Sequence, residues 1–233
     1  MHRWLHMRLS APLMAFGGVA IDQVGPTRQF PAASALTGLL ANALGWHWRE
    51  GERLHKLQDR LVFGALLARP GRRLTDTQNA QLHKSDKGWT TWGEPEGRDG
   101  ATYNAPHRRQ REYLADALVH VVLRLVPADA APTIDDLAAA LDRPARPLFI
   151  GRKPCLPTLP MNAGFIEATN ALHALQKLAS EVEEKEDGAV LLPEGEGEPA
   201  QARRQHLADM RNWITGLHAG SRPVVIGTVR GTP

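Results

Sequence analysis

The sequence is poor in the features that crosslink a protein or anchor it in a membrane. Its single cysteine, Cys155, excludes an internal disulfide and supplies no cysteine cluster for structural zinc. No apolar run approaches the roughly 20 residues that a membrane-spanning helix needs. The N-terminal residues MHRWLHMR alternate polar with apolar side chains and lack the continuous apolar core of a signal peptide. We therefore expect a cytoplasmic protein without membrane contact.

Acidic residues are concentrated in one stretch of the chain. Residues 181–198 hold eight acidic side chains and one lysine, so the remainder is distinctly basic although the net charge is only +3. Arginine dominates that remainder, and arginine suits bidentate phosphate contacts and stacking on bases. The alternative is an ordinary solvated surface rich in arginine. We interpret the acidic stretch as a solvated loop.

Hydrophobic patterning predicts an α+β fold. Leu5, Met7 and Leu9 alternate with Trp4 and His6, which predicts a strand with one buried face. Further strands are predicted at residues 61–68, 116–125 and 222–230, and helices from 34 to 44, from 133 to about 141 and within 205–218. The initial order of strand, helix, strand, strand, helix is that of a ferredoxin-like unit, whose sheet also serves RNA recognition.

Local signals mark individual helix ends and faces. Thr133 is predicted to cap a helix, because Asp136 stands at the third position of a capping box. His120 alternates with the apolar residues of its strand, so we expect it on the solvent or RNA face.

Residues 25–45, GPTRQFPAASALTGLLANALG, join a proline-containing loop to an amphipathic helix. Ser34 can cap this helix and Gly45 can end it. A helix N-terminus offers free N–H groups and a partial positive charge, so the loop that carries Arg28 and Gln29 suits a phosphate. The alternative is an ordinary loop entering a helix.

Two further loops combine polar and rigid features. The polar, glycine-rich segment from 75 to 107 predicts a hairpin arm whose aromatic and basic residues stack bases or dock on a partner protein. The proline-rich segment from 145 to 160 presents Arg152 and Lys153 beside a glycine, which lets a phosphate backbone approach closely. It lacks the spacing of a Walker loop or a Rossmann turn, and no cofactor is expected.

Four stretches, in this order, resemble the RAMP subunits that cap the 5′ end of the guide RNA in type I-E CRISPR Cascade. They are MRLSAPLMAFGG, GPTRQFPAASALTGLLANALG, RRQREYLADALVHVVL and RPLFIGRKPCLPTLP. The resemblance covers roughly residues 4–165. It implies a ferredoxin-like (RRM-type) RAMP palm at 1–74 and 108–165, with an inserted β-hairpin thumb at 75–107. Residues 166–233 would form a C-terminal extension that completes the palm.

The resemblance implies a crRNA-binding subunit that grips the repeat-derived 5′ handle. Its expected partners are the Cascade backbone subunit and large subunit, with target DNA contacted only indirectly through the complex. No metal and no catalytic residue are expected. The residues predicted to contact RNA are Arg28, Gln29, Ser34, Lys84, Lys87, Arg108, Arg109, Arg111, Tyr113, Arg152 and Lys153.

Catalysis is the rival interpretation, because a type I-C branch of the same family cuts its own precursor RNA. Metal-independent cleavage needs a base, a cation and an acid. Candidates in the predicted thumb are His83, Lys84, Lys87, Tyr103 and His107. In type I-E systems the resemblance implies a separate endoribonuclease, so we expect binding without cleavage. A scaffold without RNA contact is a third alternative, which would leave the basic remainder unexplained.

Overall fold

A computed structural model describes residues 1–81, 88–89, 95–96, 106–181 and 188–230. The strands are β1 (His2–Ser10), β2 (Leu13–Met14), β3 (Val24–Gly25), β4 (Leu61–Arg69), β5 (Arg72–Ala80), β6 (Gly88–Trp89), β7 (Pro95–Glu96), β8 (His107–Ala115), β9 (Leu118–Leu125), β10 (Asn162–Ala168), β11 (Gly188–Pro193), β12 (Ala200–Leu207) and β13 (Arg222–Val229). The helices are α1 (Ala33–Ala43), α2 (Gly51–Arg60), α3 (Ile134–Asp142) and α4 (Ala171–Glu181). No helix in these ranges is both long and apolar enough to cross a bilayer.

Seven strands form the main sheet, in the order β10-β1-β9-β4-β11-β13-β12. Every neighbouring pair is antiparallel. The fold is therefore mixed α/β, built around a large antiparallel sheet.

Both faces of this sheet are covered, which corrects the expectation of a strand with one buried face at β1. Leu5 and Met7 lie in the core that α1 and α3 cover. Trp4 lies on the opposite face, in a second core with Ala174 and Leu175 of α4. Because α4 covers that second face, the alternate positions of β1 are buried as well.

The interpretation of residues 181–198 as a solvated loop is wrong for residues 188–193, whereas Glu194 and Glu198 are exposed in the loop that follows. Residues 188–193 form β11, which lies between β4 and β13 with Val190 and Leu192 fully buried. Glu196 is also buried: its carboxylate accepts a hydrogen bond from Ala171 N at the start of α4 and pairs with Arg124. The acidic composition concealed a short apolar run that completes the sheet.

The predicted helix within residues 205–218 is also wrong. Residues up to Leu207 belong to β12, and residues 208–221 contain no helix. Gly216 and Gly220 adopt positive φ angles of 77° and 96°, which a right-handed helix does not allow. Pairing with β13 outweighs the helical pattern of the sequence.

The capping box that begins α3 is confirmed. The Thr133 side chain accepts a hydrogen bond from Asp136 N, and the Asp136 carboxylate accepts one from Thr133 N. Gly45 follows the last residues of α1 with φ of 79°, as a C-terminal glycine does. Both features depend on a few neighbouring residues.

A second, smaller sheet contains β2, β3, β5 and β8. Strands β5 and β8 pair antiparallel from Arg72↔Ala115 to Ala80↔His107. The other edge of β8 pairs with β2 and with β3. The two long strands of this hairpin therefore begin before residue 75 and end after residue 107.

Candidate nucleic-acid interface

The entrance to α1 is closed by a carboxylate from the far end of the chain. Asp209 Oδ2 accepts a hydrogen bond from Ala33 N at 3.1 Å, and Asp209 O accepts one from Ser34 N at 3.0 Å. Asp209 is 3% exposed and pairs with Arg222. The expectation of a helix N-terminus open to a phosphate is therefore wrong, because the protein's own anion occupies it.

The predicted residues around this entrance have different environments. Ser34 is buried in the first turn of α1 and makes no capping bond, so its assignment as the cap is wrong. Arg28 is half-buried: its Nη2 donates to Ala208 O at 2.8 Å, and its buried Nη1 has no hydrogen-bond partner in the described part of the chain. Gln29 is exposed. Arg28 and Gln29 remain candidates for RNA contact.

One face of β8 carries four polar side chains. Tyr113, Arg111, Arg109 and His107 alternate along the strand and so share this face. Arg109 and His107 are exposed, Arg111 is half-buried and Tyr113 is buried. The Arg152 guanidinium lies over the Tyr113 ring, 4.7 Å from its centroid. Arg152, Arg111 and Arg109 therefore form a row of cations that starts at the base of the hairpin. We call this row, together with His107 and Tyr113, the basic face of β8.

Backbone carbonyls hold Arg152 at the base of this row. Its Nη1 donates to Glu112 O at 2.8 Å and its Nη2 to Gly25 O at 3.0 Å. A Cβ at Gly25 would lie 2.7 Å from Arg111 Nη1 and 3.2 Å from Arg152 Nη2, so a larger residue there would make one or both guanidinium groups shift. Tertiary contacts therefore bring Arg111 and Arg152 together although they are far apart in sequence.

The other face of β8 is organised around a carboxylate. Glu112 accepts hydrogen bonds from Thr27 N and from Arg73. The pKa of Glu112 lies below its usual range because of the Thr27 amide bond and the nearby Arg73. Arg108 alternates onto this face, away from Arg109. The predicted arginines of β8 therefore do not form one patch.

Lys153 is exposed beside Arg152. The other predicted lysines, Lys84 and Lys87, lie outside the described residues, as do His83 and Tyr103. In the described ranges no group of three or more His, Cys, Asp or Glu side chains forms a metal site.

His120 does not lie on a solvent or RNA face, which corrects the expectation from its alternation. Its Nδ1 is 2.8 Å from His6 Nε2, and both rings are buried within the main sheet. Burial lowers the pKa of each ring to about 4, so the pair is neutral at physiological pH.

Sequence reasoning missed Asp209, Arg222, Glu112 and Arg73, which shape this region. Asp209 is 176 residues from the helix it caps, and no local pattern marks it. Glu112 and Arg73 are neighbours only through the register of β5 against β8. The one available signal was that Glu112 directly follows Arg111 in the arginine-rich stretch of residues 108–112.

Comparisons with known proteins agree with one another. The sequence model of the family described as "CRISPR-associated protein (Cas_Cas5)" matches residues 4–225. The chain is 30% identical over 178 residues to the CRISPR system Cascade subunit CasD of Escherichia coli (strain K12), covering 75% of this chain and 76% of that protein.

Two solved structures share the fold. One, described as a CRISPR RNA-guided surveillance complex, gives a TM-score of 0.71 at 22% identity and covers 98% of this chain and 90% of that chain. A second, described as a Cas protein, gives a TM-score of 0.64 at 24% identity, with coverage of 97% and 95%.

Proposed function

The chain belongs to the CRISPR-associated Cas5 family, and on that premise we propose that it is the crRNA-binding subunit of a type I-E Cascade complex. In this role it grips the repeat-derived 5′ handle, contacts the backbone and large subunits and meets target DNA only through the complex. The similarity to a Cascade subunit and to a surveillance-complex structure supports this assignment. We propose the cytoplasm as its location.

We further propose a ferredoxin-like palm carrying a thumb. The neighbouring strands β10-β1-β9-β4 contain the four strands of such a unit, with α1 between β1 and β4 and α3 between β9 and β10. The hairpin of β5 and β8 would form the base of the thumb, and β11, β13 and β12 would extend the palm.

The basic face of β8 is the observation that carries the RNA-binding proposal. Arg109 and His107 are exposed along it, while Arg111 and Arg152 stand at its base. Arg152 is held by two carbonyls and by Tyr113, so its position costs little further ordering when a ligand binds. A row of arginines suits a phosphate backbone running beside the hairpin.

We also propose that the chain holds RNA without cutting it. Of the candidate acid and base groups, the structure describes His107, which is exposed at the far end of β8. Cleavage would need this ring and a second group to meet at one phosphate. Retention of uncut RNA also fits the similarity to a Cascade subunit.

The test compares two exposed arginines. Arg109→Ala removes a cation from the basic face, whereas Arg203→Ala removes one from β12 in the main sheet. We expect Arg109→Ala to weaken binding of handle RNA and to reduce the slope of log affinity against log salt by about 0.7. Arg203→Ala should change neither. If the wild type and Arg109→Ala bind handle RNA with equal affinity and equal salt dependence, the RNA does not run along the basic face.

A further inference from the structure

Three of the six tryptophans surround one groove on the helical side of the protein. Trp46 and Trp48 come from the connection between α1 and α2, and Trp213 comes from the irregular segment before β13. The groove has a volume of about 610 Å³, within the range of small-ligand sites. We call it the tryptophan groove.

Trp213 is held in place before any ligand binds. Its indole Nε1 donates to Gln58 Oε1 at 3.1 Å, and the same amide accepts from Arg211 N and donates to Arg211 O. Gly51 makes the close approach possible, since a Cβ there would lie 2.7 Å from Trp213 O. A ring fixed in this way can stack a ligand at little entropic cost.

An arginine guanidinium lies over the ring of each tryptophan of the groove. The guanidinium carbons of Arg53, Arg49 and Arg211 lie 4.2, 5.2 and 5.1 Å from the ring centroids of Trp46, Trp48 and Trp213 respectively. Of the arginines, Arg146 and Arg211 line the groove itself, and no carboxylate among the described residues does so; Arg53 lies outside the lining and is paired with Glu50. The groove therefore combines flat aromatic faces with positive charge.

An occupant that matches these properties has a planar ring and a negative charge. Trp48 is 71% exposed, although burying such a ring is favourable. Gly151 also lines the groove, and Arg152 follows it at the base of the basic face of β8. The groove and the proposed RNA path therefore share the Gly151–Arg152 segment of the chain.

We propose that the tryptophan groove binds an unpaired nucleobase of the bound RNA, with Trp48 as its exposed stacking platform. This inference rests on the proposed function and adds a base-binding site to it. Stacking on a tryptophan is tolerant of sequence, while the arginines receive the flanking phosphates. Ile214 is also exposed and lines a neighbouring pocket with Trp48 and Trp213, so a docked protein is the competing occupant.

The test uses the full chain and synthetic single-stranded handle RNA. We expect Trp48→Ala to weaken binding about 5- to 150-fold, the range for one lost stacked base, and Trp48→Phe to keep most of the affinity. Leu217→Ala is the matched control, because it removes a comparably exposed apolar side chain without a ring. We expect it to change affinity by less than about twofold.

A set of RNAs with one abasic position each identifies the base. At the position that enters the groove, the abasic RNA should bind the wild type weakly, and Trp48→Ala should add no further loss. Equal binding of intact RNA by the wild type and Trp48→Ala overturns the inference while handle binding stands. A wild type that binds no RNA removes the proposed function and this site with it. If Trp48→Ala keeps its RNA affinity but no longer co-purifies with Cascade subunits, the groove is a protein interface and the inference is also overturned.

Discussion

Replacing Asp209 should destabilise the protein far more than its position in an irregular segment would indicate. Its carboxylate caps α1 through Ala33 N and pairs with Arg222, whose side chain is 16% exposed. Loss of a helix cap costs about 0.5–2 kcal/mol. Leaving a buried guanidinium without its partner costs about 3–5 kcal/mol. Because the two effects share one carboxylate, we expect Asp209→Ala to lower the free energy of unfolding by about 3–5 kcal/mol.

Two further variants separate the contributions. Asp209→Asn keeps an oxygen that can accept from Ala33 N but loses the charge that faces Arg222. Its free energy of unfolding should therefore lie between those of the wild type and Asp209→Ala. Glu198→Ala breaks the exposed pair with Arg204, which should cost less than about 0.5 kcal/mol.

Urea unfolding followed by circular dichroism measures these differences through the transition midpoint and slope. A loss below about 1 kcal/mol in Asp209→Ala would contradict this prediction, because the cap and the ion pair would then contribute little to stability. The same would follow if Asp209→Ala and Glu198→Ala were equally stable.

The free energy of unfolding should fall as pH drops from about 6.5 towards 4, because the unfolded chain binds protons that buried His6 and His120 exclude; an equal slope in His120→Gln would contradict this origin. Gly151→Ala should cost at least about 3 kcal/mol, since its Cβ would lie 1.5 Å from a backbone oxygen, whereas Gly17→Ala, with φ of 74° and no atom within 4 Å, should cost about 1–2 kcal/mol in thermal melting. Repeat RNA incubated with the protein in EDTA should stay intact on a denaturing gel, and a single cut abolished by His107→Ala would show that the chain is an enzyme.

The local parts of the fold could be read from the sequence. Strands β1, β4 and β9 follow from alternating or continuous apolar residues, and α3 follows from the capping box of Thr133 and Asp136. The family also followed from short stretches in a fixed order. These features depend on neighbouring residues, which interact whatever the rest of the chain does.

The two missed helices show where local reading fails. Helix α2, GERLHKLQDR, has only Leu54 and Leu57 as apolar residues, and both are buried. Helix α4 begins after Asn170, whose side chain caps it by accepting a hydrogen bond from His173 N, so a local start signal was present but overlooked; the distant, buried Glu196 accepts a further bond from Ala171 N. Each is stabilised by packing or capping from distant residues, which a local pattern does not contain.

Composition and motif order showed a basic, arginine-rich chain that resembles RAMP subunits, and they predicted RNA contacts for Arg109, Arg111, Tyr113 and Arg152. Which of these side chains lie close together follows from the folded chain. Arg108 and Arg109 lie on opposite faces of β8, because side chains alternate along a strand. Arg111 and Arg152 come together because both guanidinium groups lie against Gly25. The same folding closes the α1 entrance with the remote Asp209. Hydrogen bonds and ion pairs form only between groups that are close in space. Folding brings together residues that are far apart in the sequence, so a local sequence pattern does not reveal these contacts.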